Sequence, residues 1–200
     1  MSKINAICVY CGSSPGTEPA FIEAAQKLGK ILAENGVRLI YGGGSTGLMG
    51  ALAEAVLEGG GEVTGIIPEF LTKRERPRRL AQELIITRDM HERKRTMFER
   101  ADAFVALPGG IGTLEEIVEQ LTWAQLGRHK KPILFANING YWDPLLALFA
   151  HMREQEFVPE GLRVNFLVAN RAEDVLPTLR DAASGVAAAE QAMAIPADRL

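Results

Sequence analysis

The segment ALPGGIGTLEE (106–116) constrains this chain more than any other, because an apolar run, a glycine-rich turn and a helix start follow without a spare residue. Residues 103–107 are short and uniformly apolar, as suits a strand buried on both faces of a parallel sheet. Pro108 ends that run. Gly109, Gly110 and Gly112 then remove every Cβ from the approach to the main chain and permit positive φ. A helix expected to begin at Thr113 turns its free N–H groups and positive dipole end into the same space, which attracts anions, phosphate above all. The same residues also fit a capping box, Thr113-x-x-Glu116, in which hydroxyl and carboxylate each take a backbone N–H. On the motif alone both readings stay open. A capping box requires none of the three glycines, and each costs about 0.5–1 kcal/mol relative to alanine.

The pattern recurs along the chain. Residues 37–41 predict a strand, GGGSTG (42–47) a glycine loop and 48–58 a helix. Strands are further expected at 4–11, 62–67, 84–87, 132–136 and 165–169, and helices at 18–35, 90–101, 142–154 and 172–183. The segment 69–82 is charged, with Lys73, Arg74, Arg76, Arg78 and Arg79 around Pro77, and is expected as a solvated surface loop. The alternation specifies an α/β protein: a Rossmann-like, doubly wound parallel sheet in three α/β/α layers, forming a single domain. We expect residues 1–184 to make up that nucleotide-binding domain and the alanine-rich 185–200 to be a flexible C-terminal tail. In such sheets ligands bind at the carboxyl ends of the strands, so both glycine loops can face one pocket.

Composition narrows the partners. The chain has 200 residues and a formal net charge of −3, and its isoelectric point is near 5.7. This balance argues against nucleic acid or an anionic membrane as the main partner. No signal-peptide layout and no apolar run approaching about 20 residues is present, so a soluble cytoplasmic protein is expected. Cys8 and Cys11 lie at an odd separation within a strand, on opposite faces, and no histidine stands at ligand spacing to them. They are expected as core cysteines, with no metal site and no organic cofactor.

Two nucleotide chemistries fail on the residues. Gly42-x-Gly44-x-x-Gly47 matches the dinucleotide fingerprint, but it does not follow the first strand, and Ile67 and Pro68 occupy the strand end where an acidic ribose ligand belongs. Neither loop is followed by the Gly-Lys-Ser/Thr of a P-loop.

PGGIGTLEE (108–116), MHERK (90–94) with Met97, YGGG (41–44), GLMG (47–50) and TWAQLG (122–127) together resemble the Lonely Guy (LOG) family of cytokinin-activating nucleotide hydrolases. The resemblance runs from about residue 4 to residue 180. It implies hydrolysis of the N-glycosidic bond of N6-modified adenosine 5'-monophosphates to free base and ribose 5-phosphate. It matches Arg93 and Glu116 to the family's catalytic arginine and glutamate, and Lys94 and Thr122 to substrate contacts. Gly110, Ile111, Gly112, Thr113, Leu114 and Glu115 match the phosphate turn and its helix start; Gly109, Gly43 and Gly44 complete the candidate binding set. A further substrate-binding glutamate falls in the divergent stretch before Met90, where Glu75 and Glu83 both qualify. A homodimer is implied by the resemblance alone.

Elementary chemistry agrees with these roles. Glu116 stands about one turn, ~5.4 Å, beyond the expected anchoring N–H groups, and its side chain tilts back toward the helix start. There a carboxylate can stabilise an oxocarbenium-like ribose or orient the attacking water. Glu115 points about 100° away and is expected at the surface or facing a partner. Arg93 can pair with phosphate or with Glu116, and as a permanent cation it is a poor general base. Without the downstream motif, Arg93 and Lys94 would be an ordinary solvated helix face. The base pocket is not legible, so a general AMP or purine monophosphate nucleosidase competes with the cytokinin reading, as does a non-catalytic nucleotide-binding or carrier protein. A pyridoxal-dependent decarboxylase is disfavoured, because no lysine has an evident cofactor-binding context.

Overall fold

The computed structural model describes residues 4–75, 81–158 and 165–193. Seven strands form one parallel sheet: β1 (Ala6–Tyr10), β2 (Arg38–Tyr41), β3 (Val63–Pro68), β4 (Glu83–Thr87), β5 (Ala103–Ala106), β6 (Ile133–Ala136) and β7 (Leu167–Ala169). Their spatial order is β4-β3-β2-β1-β5-β6-β7, so the chain reverses direction across the sheet between β1 and β5. Parallel pairing sets Cys8 opposite Ile40 on one side and Phe104 on the other, which brings the carboxyl ends of β2, β1 and β5 to a common rim.

Among the described residues six α-helices lie between successive strands and a seventh follows β7: α1 (Pro19–Glu34), α2 (Gly47–Glu58), α3 (Glu69–Glu75), α4 (Met90–Arg100), α5 (Ile111–Gln125), α6 (Asp143–Glu154) and α7 (Ala172–Met193). One core lies under α1, α2 and α7, where Leu28, Leu32, Leu52, Val56, Val175 and Leu179 meet Val9, Leu39 and Val105. The other gathers Met97 of α4, Ile117 and Leu121 of α5 and Trp142 against Tyr10, Ile40, Phe104 and Phe135. Cys8 joins the second core and Cys11 the first, as period-two alternation requires. Both thiols are free and buried, and burial pushes their pKa values up.

Three expectations change. The stretch after β3 opens with the helix α3 rather than a loop, and Pro68 belongs to β3, opposite Thr87 of β4. The ladder between β2 and β3 stops at Gly65, so at Pro68 the strand has a neighbour on one side only, and proline is tolerated there as on an edge. α7 continues past residue 183 to Met193, while the rest of the expected tail, 194–200, and the basic positions 76–80 lie outside the described residues. The third concerns α5 and belongs to the site.

Candidate active site

Three loops converge on the rim at the switch between β1 and β5. Gly12, just beyond β1, donates its N–H to the Pro108 carbonyl at 3.0 Å, and its own carbonyl accepts from Leu48 N at the start of α2, also at 3.0 Å. The loops after β1, β2 and β5 are thereby tied together, and this is where an open α/β sheet offers a crevice.

The turn after β5 differs in detail from the expectation. α5 begins at Ile111, with Gly110 as its N-cap at φ −88° and ψ −156°, and Leu114 N donates to Gly110 O at 3.0 Å. Thr113 is therefore the third residue of the helix, buried, and no capping box forms. The physical reason is that glycine serves adequately as an N-cap, which frees the helix to start two residues early. The expected positive φ is also missing: none of Gly109, Gly110 and Gly112 has it. Gly109 is required because a Cβ there would collide with the Thr113 hydroxyl. At Gly110 and Gly112 a Cβ would meet nothing within 4 Å. The first helical N–H groups, which lack intrahelical acceptors, thus lie beside an open approach.

Arg93 is the hub. It projects from the first turns of α4 and is only 7% exposed. Its Nε donates to the Ile66 carbonyl of β3 at 3.1 Å, and its Nη1 lies 3.3 Å from Glu116 Oε1 of α5. The guanidinium also fills the place a Cβ would take on Gly42, which explains that glycine at the end of β2. One cation thus links β2, β3 and α5. A buried pair of this kind carries a large desolvation cost, so removing either partner leaves an uncompensated charge. Glu116 sits about 7.5 Å along the helix from Ile111, rather than one turn from a start at Thr113. Its tilt toward the helix start still aims the carboxylate at the crevice side.

Residues 49–179 match the family model described as "Possible lysine decarboxylase". The chain is 45% identical over 180 residues to cytokinin riboside 5'-monophosphate phosphoribohydrolase LOG of Oryza sativa subsp. japonica, covering 90% of this chain and 74% of that one. It is 44% identical over 180 residues to LOG7 of Arabidopsis thaliana, which bears the same enzyme name, covering 90% of this chain and 83% of that one. The chain belongs to the LOG family. Among solved structures it resembles the Moco carrier protein of Chlamydomonas reinhardtii, with a TM-score of 0.69 at 21% identity over 92% of this chain and 99% of that one. At that identity the likeness shows the fold alone.

In this LOG-family chain the sequence-derived residues divide into two groups. Arg93, Lys94, Glu115 and Glu116 come together between α4 and α5, next to the turn formed by Gly109, Gly110, Ile111, Gly112, Thr113 and Leu114. Ile111 is 83% exposed at the helix start, whereas Gly43 and Gly44 are buried in the loop after β2. Glu115 is not merely a surface residue: Lys94 Nζ lies 2.5 Å from its carboxylate and 3.0 Å from Glu119. Burial pulls the Lys94 pKa down, but the bonds to Glu115 and Glu119 outweigh it and leave the amine more basic than usual. Thr122 is separate, exposed about two turns beyond Glu116 with its hydroxyl donating to Val118 O. Glu83 opens β4 at the opposite rim and is paired with Thr64 and Arg100, while the Glu75 side chain lies outside the described residues.

Glu119 and Gln120 were not foreseen. Gln120 is fully buried, and neither its side-chain nitrogen nor its oxygen has a partner among the described residues; Glu119 Oε2 is likewise unsatisfied. The spacing Glu115–Glu119 on α5, opposite Arg93–Lys94 on α4, carried the signal for the Lys94 bridge. Among the described residues no group of three or more His, Cys, Asp or Glu side chains could hold a metal ion, and no helix is long and apolar enough to cross a membrane.

Proposed function

We propose that this protein hydrolyses the N-glycosidic bond of N6-modified adenosine 5'-monophosphates, releasing the free base and ribose 5-phosphate. The observation that carries the reading is the buried Arg93–Glu116 pair beside a helix start left open for an anion. The 5'-phosphate rests on the N–H groups of the Gly110–Thr113 turn, which places the ribose toward Glu116. As the C1'–N9 bond breaks, its electron pair leaves with the base and positive charge develops on C1' and the ring oxygen. The Glu116 carboxylate faces that charge and orients the water that adds to C1'; the proton this water gives up balances the one the departing base gains at its ring nitrogen, so that ribose 5-phosphate and the neutral base result. Arg93 is a permanent cation and cannot act as the base; it holds Glu116 in place and draws the phosphate in.

The decarboxylase description fits this geometry poorly. Schiff-base chemistry needs a free lysine amine, and Lys94 is held protonated by two carboxylates. The acidic balance supports a small nucleotide substrate rather than nucleic acid or a membrane surface. We assign the activity to residues 1–184 and to a homodimer; sedimentation of a single species near 21.8 kDa at micromolar concentration would remove the dimer.

Incubation with AMP and with isopentenyladenosine monophosphate, followed by assay of free base and ribose 5-phosphate, tests the activity. Release only from the modified nucleotide supports the cytokinin reading, equal release favours a general nucleosidase, and no release leaves a binding protein. Glu116→Gln should lower turnover by at least about a hundredfold while nucleotide affinity stays within a few-fold. Arg93→Ala should lose activity as well.

A further inference from the structure

The connection from β6 to α6 crosses the switch point and reaches the glycine turn. Tyr141 Oη donates to the Gly109 carbonyl at 2.6 Å, and the neighbouring Trp142 Nε1 donates to the Ala106 carbonyl at 3.2 Å. Both hydrogen bonds end on the segment that leads into α5. The donors are themselves fixed: Trp142 N donates to Asn137 Oδ1 at 2.7 Å, and Asn137 Nδ2 donates to Asp143 Oδ1 at 2.8 Å. The Tyr141 ring is held edge-on against Phe21, at 5.4 Å between centroids, and against Trp142, at 4.9 Å.

We infer that Tyr141 is a positioning residue for the phosphate turn: its hydroxyl fixes the Gly109–Gly110 peptide so that the Gly110 N–H faces the bound anion. The described chain has no cis peptide bond, and in a planar trans peptide the carbonyl and the following N–H point in opposite directions. Pinning the Gly109 carbonyl to Tyr141 therefore sets where the Gly110 N–H aims. The constraint matters because two consecutive glycines let a peptide rotate at little steric cost, and a rotated peptide would present a carbonyl oxygen to the phosphate. The ring contacts belong to the phenyl part of the side chain, so the hydroxyl can be removed without them. This inference rests on the phosphate-turn reading.

The test is Tyr141→Phe in the full chain, with ribose 5-phosphate binding measured by calorimetry and the Gly110 amide followed by NMR during a titration with inorganic phosphate. The variant should bind ribose 5-phosphate about three- to tenfold more weakly, the range a lost neutral hydrogen bond accounts for. KM for the nucleotide should rise by a similar factor, kcat should move by less, and the Gly110 amide resonance should shift before any phosphate is added. Unchanged affinity in a variant whose wild-type parent binds ribose 5-phosphate overturns the role of Tyr141 and leaves the site reading intact. Absence of binding in the wild-type protein overturns both. A weaker melting transition with unchanged affinity assigns the hydroxyl a structural role only and also overturns the inference.

Discussion

In the loop after β2, Gly43 and Gly47 stand at φ +78° and +59°, and a Cβ on Gly47 would drive into the backbone of Ser13 and Ser14. In the turn after β5, no glycine has positive φ, and Gly110 and Gly112 border open space. The two loops look alike in sequence and lie two strands apart on one rim. One uses glycine because the backbone could not otherwise close. The other uses it where the fold would accept a side chain, which points to a ligand as the reason. Gly109 is intermediate, since it ends β5's connection against Thr113 and Gly12 while belonging to the open turn.

The comparison makes graded demands. Gly47→Ala should be the most damaging, because left-handed strain of about 1–2 kcal/mol adds to a backbone collision. Denaturant unfolding should register a loss of about 3 kcal/mol or more; wild-type stability would mean that this loop is as open as the other. Gly109→Ala should cost about 1–3 kcal/mol by overpacking against Thr113, and should weaken nucleotide binding in parallel. Gly110→Ala should cost no more than about 1 kcal/mol in stability, the difference between glycine and alanine as an N-cap. It should still raise the ribose 5-phosphate dissociation constant on the order of tenfold, a difference of about 1.4 kcal/mol. A Gly110→Ala protein that is destabilised by more than about 1 kcal/mol but binds normally would erase the contrast between the loops.

The sheet was legible because buried parallel strands are continuous apolar runs, and residues 103–107 and 133–136 announce themselves that way. The pairing of the two glycine loops on one rim followed from topology alone. The helix start at Ile111 was not legible, since Thr113 and Glu116 form a good capping signature and only the extended conformation of Gly110 decides against it. α3 was hidden because its charged sequence carries little periodic apolar signal, and a short helix gains most of its stability from tertiary contacts. Without the downstream motif, the helix 90–101 alone would make Arg93 a surface residue, for a related reason. Its burial depends on the missing Cβ of Gly42 and the Ile66 carbonyl, both contributed by strands far from α4 in sequence. The Tyr141 bond to Gly109 links positions 32 residues apart and has no local signature.

The reversal of strand order between β1 and β5 also shapes how the chain comes apart. β2, β3 and β4 add to the sheet consecutively from β1, whereas the seam with β5 is closed by contacts such as the Asp102 carboxylate on Asn5 N, 97 residues distant. Contacts so remote cost the most chain entropy to form. The crevice straddles this seam, so amides of the glycine turn should exchange with solvent through partial openings that leave the β2–β4 half protected. A bound nucleotide, by joining the two halves, would suppress that exchange first, making the seam a reporter of occupancy that requires no turnover.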